Sequence, residues 1–481
     1  MRPNIRGALI LLCALAMGMA ASEASDEEGF RDRLTERGSG FAARPEPMRF
    51  PLEALTALPK YDATTGDPWQ LTLFWSDLRG LDLHDRLPDL MQSSFSTLTE
   101  WPDSLPSGFD PVRIMEIGRN PGLGVRALHA KGITGRGVSV AVIDQPIIVD
   151  HAEYADRLRL YEEIHVLPGT ADLHGPATAS IAVGKTMGVA PEADLYFIAY
   201  RPWTGRPHES ENMALTFIPV AQAIERILEV NRGLPKEHRI RVISLSIGWQ
   251  RSQEGYAEVM KAVQHATDEG VFVLSSSLSE THGLQYHGLA REPLKDPDDP
   301  ASYSLITAWG PDLSKPTLLI PMDSRTTAAP TGDGDYIFYR HGGWSWVTPY
   351  LAGLYALACQ VKPDITPDLF WKTALETGSP IDPASQPSVS RETMEKQAAV
   401  QVDRVLANAK TPEGMKTAKE QLANAYQQIM GKPAPEVSDD KLREWAIGWV
   451  TDYMVKTRSS TGESRIVNPA KLMETLQAGA K

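Results

Sequence analysis

Five short, densely apolar runs constrain this chain most: residues 138–143 (VSVAVI), 195–200 (LYFIAY), 240–247 (IRVISLSI), 271–274 (VFVL) and 317–320 (TLLI). Runs of this length, rich in β-branched residues, suit strands buried on both faces. Between them, residues 214–231 and 254–269 carry apolar positions at helical spacing. Strands that alternate with helices in this way predict an α/β fold with a mostly parallel open sheet and helices on both sides. In such sheets the functional groups collect beyond the C-terminal ends of the strands.

The remainder of the 481 residues divides by composition. Arg2 and Arg6 precede a 15-residue apolar run, 7–21, and small residues follow it. This is the layout of a secretory leader over residues 1–24, cleaved after Ala20 or Ala24, and it predicts a secreted or periplasmic protein. A short signal anchor is the other arrangement of such a run. It falls short of the roughly 20 residues that span a bilayer, and no later segment reaches that length. Cys13 lies in the leader and Cys359 far downstream, so loss of the leader leaves no intramolecular disulfide. A domain of this size then stands on its hydrophobic core.

Residues 25–120 are irregular and turn-rich and read as an N-terminal extension. Residues 121–380 carry the sheet pattern, and helices are expected over 346–361 and 366–377. Residues 381–463 are polar, with helices expected over 395–409, 413–430 and 440–456, and residues 464–481 close the chain. The net charge is −13, from 48 basic and 61 acidic residues. With no basic block, this argues against a nucleic-acid partner. Oligomeric state stays open.

Three residues stand where chemistry would be done. Asp144 ends the first run, at the edge where a buried strand opens. His174 opens the small-residue segment HGPATASIA, which is compatible with a helix. Ser345, in HGGWSWVTPYLAG, begins an apolar helix with Pro349 in its first turn, where proline is tolerated. Backbone N–H groups at that helix start would favour an oxyanion. Taken singly, each residue has an ordinary alternative: a turn Asp, a surface His, a Ser N-cap.

Taken together, these motifs resemble the subtilisin-like serine peptidases (subtilases), whose triad runs Asp, His, Ser along the chain. The intervals here are 30 and 171 residues, near the roughly 30 and roughly 160 of that arrangement. An α/β-hydrolase would carry Ser first, within a GxSxG elbow that is absent around Ser345. His151 matches a His usual in the family. Ser244, Leu245, Ser246, Ile247 and Gly248 resemble its substrate-binding strand. Residues 320–327 and 339–343 resemble the approach to its nucleophile, and residues 466–471 resemble a segment that often ends the catalytic domain, which makes about 380–463 an insertion.

The resemblance implies a subtilisin-like three-layer αβα fold and a serine endopeptidase acting on polypeptides. Ser345 would be the nucleophile, His174 the general base and Asp144 its orienting partner. The N-terminal extension would be either a folding aid removed on maturation or an integral, retained region.

The pattern also departs from the family. Gln145 and Pro146 replace a small residue and Gly, Pro176 and Ala177 replace Thr and a second His, and Trp344 and Trp346 flank the serine. Residues 270–283 contain no Asn where the family places its oxyanion donor. Register puts Ser279 there, beside the Ser345 backbone N–H, and His282 nearby reads as a loop residue. The alternative function is therefore a degenerate, polypeptide-binding pseudoenzyme. No cofactor is required and no His or Cys cluster has zinc-like spacing. The acidic residues 296–299 with Asp333 and Asp335 are where structural calcium, frequent in the family, would sit, though without an ordered ligand pattern.

Overall fold

A computed structural model describes residues 44–65, 67–166, 169–200, 216–251, 253–305, 315–381, 390–407, 409–459 and 463–479. The expected leader, with Cys13, lies outside the described residues. The N-terminal region opens with β1 (Glu53–Ala54) parallel to β2 (Ser76–Asp77). Then come α1 (Leu87–Leu90), β3 (Phe95–Ser96), α2 (Pro111–Gly118) and α3 (Val125–Ala130). Asp110 caps α2 by accepting from the Arg113 amide at 3.0 Å, and Pro111 takes the first helical position, where no N–H is needed.

Four of the five apolar runs form strands of the central sheet, while the fifth, 317–320, lies in a second sheet. The central sheet consists of β4 (Ser139–Asp144), β5 (Leu158–Ile164), β6 (Asp194–Tyr200), β7 (Ile240–Leu245) and β8 (Phe272–Ser275), all parallel in the order β5-β6-β4-β7-β8. Side chains alternate across a strand. In β4, Val140 and Val142 therefore enter the core shared with α4 (His174–Val183), while Ala141 and Ile143 enter the opposite core. That second core is covered by α5 (Ile218–Gly233) and α6 (Tyr256–Asp268). Ile224, Ile227 and Leu228 on α5, and Val259, Ala262, Val263 and Ala266 on α6, supply stripes at three- and four-residue spacing. The result is a three-layer αβα sandwich.

After β8 and the short α7 (Leu278–His282) come two smaller sheets. One joins β9 (Gln285–Arg291), β10 (Tyr303–Leu305) and β11 (Thr317–Pro321). The other pairs β12 (Arg325–Ala328) and β13 (Tyr336–Tyr339) antiparallel, with β3 of the N-terminal region on the far side of β13. The helix α8 (Trp344–Val361) follows and is buried continuously from Ser345 to Cys359. Gly353 permits its approach to α4, because a Cβ there would stand 2.6 Å from Val189 Cβ and 2.9 Å from the Ala182 carbonyl oxygen. No described helix is long and apolar enough to cross a membrane. Burial raises the Cys359 thiol to about 12.

Next are α9 (Pro367–Thr377), β14 (Ser379–Pro380), α10 (Arg391–Leu406), α11 (Pro412–Met430) and α12 (Asp439–Ser459). The last strand, β15 (Arg465–Ile466), lies parallel to β11 and antiparallel to β14, completing the order β10-β9-β11-β15-β14. A final helix, α13 (Pro469–Ala478), packs on α3, α8 and α9.

The structure differs from the sequence reading in several places, one being the 317–320 run, which forms β11 outside the central sheet. α8 starts at Trp344, so Pro349 stands inside the helix instead of in its first turn. β5, which alternates exposed and buried residues at its start, was not anticipated. The 240–247 run leaves the sheet at Leu245, which releases residues 246–248 beyond the strand end.

Candidate active site

β4 ends at Asp144, which is 4% exposed. Its carboxylate accepts from the Gln145 amide at 2.7 Å and from the Thr178 hydroxyl at 3.1 Å. A third bond comes from His174, whose Nδ1 lies 2.7 Å from Asp144 Oδ1. Since an ionised carboxylate only accepts, Nδ1 carries the proton and Nε2 is left as the basic nitrogen.

Local sequence makes this pair possible. His174 is the first residue of α4, and the helix start must crowd the turn after β4 for the two to meet. A Cβ on Gly175 would lie 1.9 Å from the Gln145 carbonyl oxygen, so only glycine fits. Pro176 follows in the first turn, where its missing N–H has no helical partner to lose. The Pro146 carbonyl accepts from the Asp172 amide at 2.8 Å, so the Gln145–Pro146 turn ties directly into the approach to α4.

Ser345 is the second residue of α8 and is buried. Its neighbour Trp346 sets the start of α8 against the pair, with the indole centroid 5.4 Å from the His174 ring. Pro349 cannot donate to the carbonyl four residues back, which belongs to Ser345. The Ser246 hydroxyl fills that gap, donating to the Ser345 carbonyl at 2.9 Å. A proline inside the helix thus becomes a link between the nucleophile candidate and the expected substrate strand.

Of that strand, Ser244 and Leu245 lie buried within β7, Leu245 in the core under α5 and α6. Ser246, Ile247 and Gly248 lie beyond the strand end. The Ile247 carbonyl accepts from the Ser276 amide at 3.0 Å, and Ser277 Oγ accepts from the Trp249 amide at 2.8 Å. Ser279 is exposed on α7, and its carbonyl accepts from the Gly283 amide. Ser276 and Ser277, rather than Ser279, border the 246–249 segment.

His282 packs edge-on to Phe272 at 5.2 Å, and burial lowers its pKa. His151 is fully buried. Its Nδ1 accepts from the Glu153 amide at 3.2 Å, its Nε2 donates to the Asp335 carbonyl at 3.0 Å, and desolvation lowers its pKa.

Residues 320–327 and 339–343 were expected as the approach to Ser345, but the side chains that hold that loop were not singled out. Asp323 Oδ1 accepts from the Gly342 amide at 2.8 Å, and its other oxygen lies 3.6 Å from His341 Nδ1. Arg340, with a side chain 4% exposed, pairs with Glu292 at 2.7 Å. Asp323, three residues after the apolar run 317–320, was the available signal. His287, fully buried on β9 beside Trp344, is pushed down to about 4 by desolvation and is therefore neutral.

The acidic residues considered for calcium are used internally. Asp298 accepts from Asn120 Nδ2 and the Gly124 amide, Asp299 caps the turn at Ala301, and Asp335 accepts from Thr331. Among the described residues, no group of three or more His, Cys, Asp or Glu is arranged to hold a metal ion.

Comparison with known proteins adds family evidence to this geometry. The sequence model of the Subtilase family matches residues 135–398. The subtilisin-like protease PopC of Myxococcus xanthus is 25% identical over 307 residues, covering 55% of this chain and 63% of PopC. The serine protease AprX of Bacillus subtilis is 24% identical over 289 residues, covering 50% of this chain and 63% of AprX. The chain thus spans less than two thirds of the length of these relatives. Among solved structures, the prenylagaramide maturation protease PagA is similar, at 22% identity and a TM-score of 0.40, covering 55% of this chain and 91% of that one.

Proposed function

The chain belongs to the Subtilase family, and from that premise we propose that it is an exported serine endopeptidase hydrolysing polypeptides through an acyl-enzyme on Ser345. The observation that carries this reading is the 2.7 Å bond from His174 Nδ1 to the buried Asp144, which leaves His174 Nε2 as base. Ser345 Oγ attacks the peptide carbonyl as His174 takes its proton. His174 then protonates the leaving amine, and water repeats the cycle to release the acid. Asp144 holds the imidazole tautomer and favours its protonated form. The Ser345 N–H and the small serines after β8 are the donors offered to the oxyanion. Ser246, Ile247 and Gly248 form the wall along which the polypeptide lies.

Export rests on the leader 1–24 and gives a secreted or periplasmic enzyme. No cofactor enters the mechanism. A second reading, the polypeptide-binding pseudoenzyme, is favoured by one observation: the segment 270–283 has no Asn, and Ser279 is turned to solvent on α7. The two readings separate with a fluorophosphonate probe. The wild-type chain should label at Ser345 and cleave casein, and Ser345→Ala should lose both, with turnover falling by at least about 10⁴-fold. A folded wild-type chain that neither labels nor cleaves would leave the pseudoenzyme.

A further inference from the structure

β13 and the loop 340–343 that follows it deliver Ser345, and the N-terminal region grips this segment along its length. β3 pairs with β13 through Ile337↔Ser96 and Phe338↔Phe95. The Arg340 amide donates to the Ser94 hydroxyl at 3.0 Å, and Arg340 Nε donates to the Met91 carbonyl at 2.9 Å. Trp69 Nε1 donates to the His341 carbonyl at 3.3 Å.

A second connection runs through aromatic rings. Phe74 meets Tyr339 at 5.3 Å and 74°, Tyr339 meets Trp346 at 5.0 Å and 80°, and Trp346 meets His174 at 5.4 Å and 48°. Phe74, Tyr339 and Trp346 are each no more than 5% exposed. The Trp346 indole N–H is buried with no hydrogen-bond partner, so packing alone orients that ring. The faces it packs against are Tyr339, itself backed by Phe74, and the imidazole of His174. Edge-to-face pairs of this kind are directional as well as apolar.

We infer that residues 44–118 are retained in the working enzyme, and that Phe74 and Tyr339 are positioning residues which set Trp346, and through it His174 and Ser345, in working register. The inference rests on the peptidase reading above and settles a question that reading leaves open. A detachable leader would strip the outer strand from β13, uncover Phe338 and Tyr339, and take the backbone partners from Arg340 and His341. The N-terminal region therefore acts as the fixed wall of the nucleophile loop.

The test uses the full chain expressed with its native leader. Purified protein is treated with a fluorophosphonate probe, and the labelled species is weighed intact and mapped. It should carry the probe at Ser345 and still contain residues 44–118. Phe74→Leu and Tyr339→Leu should each lower kcat on labelled casein and the probe reaction rate about tenfold, with KM within about twofold, since misplacement of reacting groups acts on turnover. Tyr339→Phe keeps both ring contacts and should rescue the rate. Trp69→Phe, a half-buried site outside the ring chain, is the second variant should the Leu forms fold poorly, and it should slow probe reaction by severalfold.

A labelled species lacking residues 44–118 overturns this inference and leaves the peptidase standing. So does a kcat unchanged in Phe74→Leu and Trp69→Phe, or one that falls only with the folded fraction read by circular dichroism. A folded wild-type chain that takes no probe overturns the peptidase reading and this inference together.

Discussion

Residues 44–118 and residues 391–459 both lie outside the five-stranded sheet, yet they are joined to it differently. The first region buries Leu58, Leu73, Leu78, Leu83, Leu90, Phe95 and Phe109 around Phe338, a residue of β13, and sends Phe74 into the main core. The second buries Met394, Val402, Leu422, Trp449 and Val450 among its own three helices, in a core with no member from the sheet domain. It also sits between β14 and β15, where Ser379 faces Ile466 and Pro380 faces Arg465. The chain thus leaves and re-enters the body at one pair of adjacent strands. A region that shares a core cannot be altered without disturbing its host, whereas one closed on itself can.

That contrast can be broken or sharpened by experiment, and the largest effect is expected at the shared core. Phe95→Ala removes a ring packed against Phe338 at 5.1 Å, and should cost about 3–5 kcal/mol in urea unfolding of the sheet domain. A loss below about 1 kcal/mol would mean the shared core is not a structural unit.

Acid comes next. His129, His151, His282 and His287 all have pKa values lowered mainly by desolvation, His287 to about 4. The unfolded chain takes up protons at these residues near the ordinary 6.5 while the fold does not. Their contribution is therefore intact above about pH 6.5 and is lost as pH falls below it, for His287 down to about 4 and on the order of 3 kcal/mol. His287→Leu should flatten the pH dependence of the urea midpoint over that range. No histidine lies between residues 391 and 459, so the helical segment should not share this histidine-linked loss.

Smaller effects on the site are expected from the helical segment. Trp449→Ala should weaken that segment's own transition by about 3–5 kcal/mol while leaving the fluorophosphonate rate within about twofold. Replacement of residues 382–463 by a short turn, keeping Ile381 in the main core and joining β14 to β15, should do least, with labelling again within about twofold. Loss of labelling in either variant would show that the helices support the site after all.

Four of the five central strands were legible because they are buried on both faces and read as apolar runs, whereas β5, partly exposed, was not. Asp144, His174 and Ser345 were legible through order and spacing, and the helical segment through its period. The N-terminal region was opaque for a physical reason: β1, β2, β3 and α1 are two to four residues long, too short to establish a period. Its apolar residues gain meaning only through partners such as Phe338 and Tyr339, far along the chain. Likewise, the sequence alone assigned Gly175 no role and Pro349 only a place in the first helical turn. Contact with the Gln145 carbonyl and the freed carbonyl of Ser345 gives them their roles.

The bond from Trp69 to His341 closes a span of 272 residues, and that separation acts as a clock. Contacts so distant along the chain form late, because loop entropy opposes them until the intervening sheet has been built. During synthesis β3 emerges early and waits for β13 to be made. Ser345 follows β13 by six residues from Tyr339, so the residue proposed as nucleophile is seated only once early and late parts of the chain have met. On the proposed peptidase reading, a newly made chain passes through synthesis unarmed, and arming coincides with the completion of its fold.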